Sequence, residues 1–229
     1  VTNGTGAEAV IFVLAGVNGA GKSSVGGSVL REKGRDYFNP DDAARRIMEM
    51  TGASINDANA RAWQEGKLRL ELAIETRSSF AFESTLGGNT IPRLLRQAAD
   101  TGLTVSVWFV GLSAPEQHIA RMRARVASGG HSIPEEMIRQ RWDGSRRNII
   151  ALMPFLTELR VFDNSEERDA SAGTIPPLRQ LLLWRDGAIV SPDVEALATT
   201  PDWAKPIIAR ALKLQRAANF ADQLANEVP

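Results

Sequence analysis

Short apolar runs alternate along the chain with longer stretches in which apolar side chains return every three or four positions. Val10 to Ala15 is an uninterrupted apolar run, the pattern of a strand buried on both faces. Asp36-Tyr37-Phe38, Ser79-Phe80-Ala81-Phe82, Leu103 to Val110 and Leu159-Arg160-Val161-Phe162 supply further strands. Helix starts lie between them. Asn39-Pro40-Asp41-Asp42 combines a cap residue, a proline suited to the first helical position and acids for the first turn. Ser54-Ile55-Asn56-Asp57 opens a long helix through Trp63, Leu70 and Ile74 to about Arg77, and Gly87-Gly88-Asn89 turns into one ending near Gly102. Pro115 and Pro134 begin two more. Strands alternating with helices predict an α/β fold, a mostly parallel sheet covered on both faces. Leu181 to Arg185, Asp186-Gly187 and Ala188-Ile189-Val190 predict a hairpin with a tight turn, and Pro201 to Leu224 a closing helix.

A chain of 229 residues suits one domain, here with a lid segment at about 115–150 and a C-terminal hairpin and helix at about 178–225. Basic and acidic side chains cancel at 27 each, so no global field argues for nucleic acid or an anionic membrane. Absence of cysteine excludes disulfides, thiol catalysis and cysteine-ligated metal. Val1 to Ala9 is polar and Gly-rich, unlike a signal peptide, and no run has the length of a membrane-spanning helix. The expectation is a soluble cytoplasmic protein without membrane contact.

Candidate chemistry starts where the first strand ends. Gly16-Val17-Asn18-Gly19-Ala20-Gly21-Lys22-Ser23 matches G-x-x-x-x-G-K-[ST], the phosphate-binding loop between a strand and a helix. Its glycines let the backbone turn N–H groups inward toward phosphate oxygens. Lys22 is expected at the β and γ phosphates and Ser23 at Mg²⁺, with Ser24 adding a phosphate contact and the helix N-terminus favouring the anion. In an open α/β sheet the carboxyl ends of neighbouring strands share one edge. Asp41 is therefore expected beside the loop, where it can take the proton of an acceptor hydroxyl; complementing a helix dipole would explain the same acid. Glu83 and Thr85 reach that edge from the next strand, suited to a polyhydroxyl acceptor. Asp163-Asn164-Ser165 offers Asn164 to adenine or ribose, and equally an Asx turn.

From Pro115, Ile119, Met122 and Val126 fall on one helical stripe, while His118, Arg121 and Arg125 fall nearly opposite, on a face that packing does not require. Two arginines one turn apart there can clamp phosphate and stabilise charge on a transferring phosphoryl group. Ser128-Gly129-Gly130-His131-Ser132 then breaks the chain before a helix carrying Arg139, Arg141, Arg146 and Arg147. Basic helices joined by Gly-Gly have the makings of a closing lid.

Gly16 to Ser24, Asn39-Pro40-Asp41, Phe82-Glu83-Ser84-Thr85-Leu86, Gly129-Gly130-His131-Ser132-Ile133-Pro134 and Asp163-Asn164-Ser165, in that order, resemble the zeta toxin-like P-loop kinases over about residues 8 to 190. The resemblance implies a three-layer α/β/α P-loop kinase with a helical lid. It also implies ATP or GTP and Mg²⁺ at Lys22 and Ser23, Asp41 as base, Glu83 and Thr85 on the substrate, and lid arginines on the transferring phosphate. Better-known toxins of that family phosphorylate the 3′-hydroxyl of UDP-N-acetylglucosamine and impair cell-wall synthesis, which makes that compound a candidate acceptor and an antitoxin protein a candidate partner. His131 stands where the family commonly has a second loop arginine, and the chain has less room than the long toxins for added substrate-binding structure. The expected activity is ATP-dependent transfer to a hydroxyl of a small molecule. A nucleic-acid end kinase or a nucleotide-regulated binding protein is the alternative, suggested by the arginines from Arg121 to Arg147 and opposed by the zero net charge.

Overall fold

A computed structural model describes residues 9–22, 37–130, 132–166, 178–193 and 195–227. Strands β1 (Val10–Ala15), β2 (Tyr37–Phe38), β3 (Phe80–Ser84), β4 (Thr104–Gly111), β5 (Glu158–Asp163), β6 (Arg179–Arg185) and β7 (Ala188–Ser191) form one sheet in the order β2-β3-β1-β4-β5-β6-β7. The first five run parallel, and β6 and β7 add an antiparallel edge. Asp186 and Gly187, at φ 48° and 85°, make the tight turn expected between β6 and β7.

Among the described residues the helices are α1 (Pro40–Thr51), α2 (Ile55–Glu75), α3 (Thr90–Asp100), α4 (Pro115–Ala127), α5 (Glu135–Leu152) and α6 (Lys205–Glu227). α1 begins as its sequence dictates: Asn39 Oδ1 accepts from the backbone N–H of Asp41 at 2.8 Å and of Asp42 at 3.3 Å, with Pro40 following. Ser54 caps α2 by accepting from the Asp57 N–H. α6 starts four residues later than the expected Pro201, because Pro201 to Ala204 form a turn that buries Trp203. The helix predicted after the phosphate loop, Val25 to Lys33, lies outside the described residues. No helix among the described residues is long and apolar enough to cross a membrane.

The alternation within β1 divides the core. Ile11, Val13 and Ala15 join the large cluster that α1, α2, α3, α5 and α6 cover, while Phe12 and Leu14 turn to the other face with Ala81 and Val110. Each large aliphatic side chain so buried contributes about 1.5–3 kcal/mol. Trp108 closes the second face edge-on to Phe12 and Phe162, at centroid distances of 5.4 and 5.8 Å. α4 and α5 pair as a hairpin over the loop after β1, with a small core of their own: Ile119, Met122 and Ile138 pack around Val17. The expected lid therefore shares its core with the phosphate loop.

Gly111 ends β4 against the indole of Trp203, and a Cβ there would overlap the ring. Gly111→Ala is expected to cost about 1–3 kcal/mol by overpacking, read as a lower urea midpoint; an unchanged midpoint would show that the α6 corner yields freely.

Candidate functional site

At the carboxyl edge of the parallel strands the chain after β1 turns through Gly16 to Lys22. Gly16 sits at φ 145° and Gly21 at 89°. A Cβ on Gly16 would overlap the Val110 carbonyl oxygen, and one on Gly21 the Asn164 amide. Glycine is required at both positions by backbone angle and by close approach together. Lys22 Nζ donates to the Gly16 carbonyl at 2.8 Å. Desolvation in the packed loop lowers the Lys22 pKa, opposed by the negative charges of Glu83 and Asp41. Ser23, Ser24 and His131 lie outside the described residues.

The loop is braced from three sides. Asn164 Nδ2 donates to the Ala20 carbonyl at 2.8 Å, so the amide expected at adenine or ribose is spent on the loop itself. Arg141 from α5 donates to Asn18 Oδ1 at 2.7 Å. His118 Nδ1 lies 2.9 Å from the Asn18 carbonyl oxygen, and since that oxygen only accepts, the ring donates from Nδ1. These contacts correct the expectation that the face of α4 carrying His118 is not needed for packing. His118 is 1% exposed, whereas Val126, on the stripe expected to be core, is 37% exposed. Loop and α5 both lean on α4, so it buries two faces instead of one.

Arg121 and Arg125 do not converge. Arg121 donates to the Asn164 carbonyl at 2.7 Å and the Glu166 carbonyl at 3.4 Å, beside the loop. Arg125 reaches Asp41 Oδ2 at 3.4 Å. Asp42 points elsewhere, pairing with Arg45 at 3.1 Å. Asn39 ties the two candidate acids together: its Oδ1 caps α1 at Asp41 while its Nδ2 donates to Glu83 Oε1 at 3.2 Å. Glu83 is buried and Thr85 half-buried. Lys22, Asp41, Glu83, Thr85 and Arg141 all line one cavity of about 430 Å³.

Arg141 is the residue that reading the chain left unassigned. Burial lowers its pKa while the Asp41 charge opposes that effect. α5 can bring it so close because Gly144 passes over the Gly87 carbonyl, and Asn148 donates to the Leu86 and Gly88 carbonyls at 2.6 and 2.9 Å. A glycine inside a helix, one turn after an arginine, was the available signal: such a residue costs about 1 kcal/mol unless a close approach needs it.

No protein-family model matches the chain. An uncharacterised protein of Haemophilus influenzae is 32% identical over 133 residues, which is 56% of this chain and 88% of that one. The chain belongs to that protein's family. Among solved structures, a chain of the AvrRxo1-ORF1:-ORF2 crystal structure with ATP aligns at TM-score 0.59 and 17% identity, over 86% of this chain and 65% of that one. The native AvrRxo1-ORF1:-ORF2 complex gives TM-score 0.59 and 17% identity, over 96% and 76%. This chain thus spans 65% of the ATP-bound neighbour's length. The shared fold is the three-layer α/β/α fold with a mostly parallel sheet expected from the sequence.

Burial lowers the His118 pKa to about 4 from an ordinary 6.5, with Lys22 and Arg121 adding to the effect and the Asn18 bond opposing it. The native ring stays neutral where the unfolded chain takes a proton, so stability present above pH 6.5 is lost as the pH falls toward 4. About 2 kcal/mol is expected to disappear between about pH 7.5 and 5, with most of that slope absent in His118→Gln. Urea midpoints at the two pH values check it, and equal midpoints would contradict a neutral buried ring.

Proposed function

We propose that the protein is an ATP-dependent kinase that transfers the γ-phosphoryl group to a hydroxyl of a small molecule. The observation that carries this reading is the convergence of Lys22, Asp41, Glu83 and Arg141 on one cavity at the edge of a P-loop kinase sheet. The nucleotide, ATP or GTP, supplies the phosphoryl group. Lys22 neutralises the β and γ phosphates, aided by the backbone N–H groups of Gly19, Ala20 and Gly21 and by Asn18 and Gly16 in the same loop. Asp41 orients the acceptor hydroxyl and accepts its proton as the oxygen bonds to phosphorus and ADP departs. Glu83 and Thr85 hold other hydroxyls of the acceptor. Arg125, Arg121 and Arg141 are the cations available for the charge that spreads over the phosphoryl oxygens.

Mg²⁺ is expected at the Ser23 hydroxyl. Among the described residues no group of three or more His, Asp or Glu side chains gathers as a metal site. An ion at Ser23 would be held mainly by phosphate oxygens of the nucleotide together with that hydroxyl. His131 is proposed as a further contact to the acceptor. A UDP-amino sugar, as in the zeta toxins, is the first acceptor to try. The structural neighbours are complexes of two gene products, which supports a search for a small antitoxin-like partner.

The nucleic-acid reading loses support from the pairing of the hairpin arginines. Arg123 pairs with Glu135, Arg139 with Glu116 and Arg146 with Asp143, while Arg125 meets Asp41. A phosphate-tracking surface presents cations to solvent without such partners.

Purified protein, labelled ATP and a panel of hydroxyl compounds test the proposal. Asp41→Asn is expected to lower kcat by about 10²–10⁴ with nucleotide affinity retained, and Arg141→Ala to lower it by about 10²–10³. Lys22→Ala should lose nucleotide binding as well. Full turnover in Asp41→Asn would remove the assigned base.

A further inference from the structure

The cavity has a second half that the phosphoryl chemistry does not use. One face of α2 lines it with Asn56, Asn59, Trp63 and Lys67. Spacings of three and four residues place these four along one side of the helix, over about 16 Å at the ordinary helical rise. Lys67 is engaged with Glu71 at 2.8 Å. Asn56 and Asn59 have no side-chain hydrogen-bond partner among the described residues, and the Trp63 ring stacks on no other described ring. Trp63 is 47% exposed although it stands in a cavity wall. Trp63 belongs to none of the buried core clusters and stands in the same cavity lining as the two amides.

The wall is held firmly. Gly66, one turn from Trp63, lets α2 press on the β2 edge: a Cβ there would lie 2.6 Å from the Phe38 ring, and the Arg69 guanidinium stacks over the same ring at 5.1 Å. The same cavity is also lined by aliphatic side chains, Ile91 on α3 and Ile133 and Met137 of the α4–α5 hairpin. An aromatic ring, aliphatic side chains and two amides in one cavity lining suit a flat ring whose edge carries hydrogen-bonding groups.

We propose that Trp63 is the specificity-determining residue of the acceptor site, a platform for a flat, uncharged ring joined to the hydroxyl-bearing part that lies at Asp41. Asn56 and Asn59 read the polar rim of that ring. The inference rests on the reading of this cavity as the acceptor site of a kinase, and it goes further by excluding ring-free polyols and single small sugar acids as preferred acceptors. Such compounds would fill the reactive end and leave the α2 wall uncovered.

Retention of small molecules separates the two ideas. Immobilised wild type, Trp63→Phe and Trp63→Ala are each incubated with the small-molecule fraction of a cell extract, and bound compounds are eluted and identified by mass. Labelled ATP is then added to each eluted compound with fresh protein. Wild type is expected to retain compounds bearing a flat ring. Trp63→Phe should keep most of that retention, and Trp63→Ala should lose about tenfold or more, with unchanged thermal unfolding and unchanged affinity for ATP. Equal retention by Trp63→Ala, retention of ring-free compounds only, or no retention by wild type overturns the assignment. Ring compounds retained in a Trp63-dependent way but never phosphorylated would instead sink the kinase reading and leave the platform standing.

Discussion

Backbone at Gly16 and Gly21 runs so near the β4 carbonyls and the segment after β5 that neither position has room for a Cβ. Everything else at the sheet edge is arranged around that closeness. A loop without side chains at its turns contributes little packing of its own, and an isolated glycine turn carries a large entropic cost on ordering. Here the cost is met by neighbours: Val17 plugs into the hairpin core, Asn164 holds the Ala20 carbonyl, and His118 and Arg141 grip the two ends of Asn18 from different helices. α4 and α5 thus touch the same loop residue, one at its carbonyl and one at its side chain. A shift of the hairpin is felt directly by the loop backbone.

The cations around this loop share a pattern. Lys22 donates to the Gly16 carbonyl and Arg141 to the Asn18 amide oxygen, both neutral acceptors. Arg125 meets a carboxylate, but at 3.4 Å and with both side chains partly in solvent, where such a pair contributes only about 0–1 kcal/mol. Hydrogen bonds to ionised oxygen are roughly twice as strong as those between neutral groups. Phosphate oxygens therefore compete well for every one of these donors, and Asp41 would be released from Arg125 as its partner turns to phosphate. The same geometry that holds the loop in shape leaves its positive charge exchangeable.

Much of this was legible in the chain. The glycine turn from Gly16 to Lys22, the cap at Asn39, the strand runs and the Asp186-Gly187 turn are local signals, each decided by backbone angles or by one capping bond, and each appears where expected within the described residues. What stayed hidden depends on contacts between distant segments. A helical wheel puts His118 opposite Ile119 and Met122, and only the docking of the loop on that face buries it. Nothing in the neighbourhood of Asp41 and Asp42 says which faces inward, because the choice is made by Arg45 on one side and by Asn39 bridging to Glu83 on the other. Arg141 looked like any solvated arginine of a basic helix until Gly144 let that helix settle onto the Gly87 turn.

Net charge illustrates the same limit from another direction. A balance of 27 against 27 says that the protein has no long-range field, and it says nothing of how charge is distributed. Around the cavity Lys22, Lys67 and Arg141 face Asp41 and Glu83, and Lys67 is already neutralised by Glu71. Lys22 and Arg141 are left at the reactive end with Asp41 and Glu83, and Arg125 adds a third cation against Asp41. A polyphosphate added to that set would find its cations already oriented, while an acceptor entering beside it would meet two carboxylates able to accept from hydroxyls. Lys22 lies within the field of both Glu83 and Asp41, and Arg141 within that of Asp41, so the two signs are interleaved here. On the proposed reading, Asp41, which Arg125 meets and whose charge acts on both Lys22 and Arg141, is where the two reactants would come together.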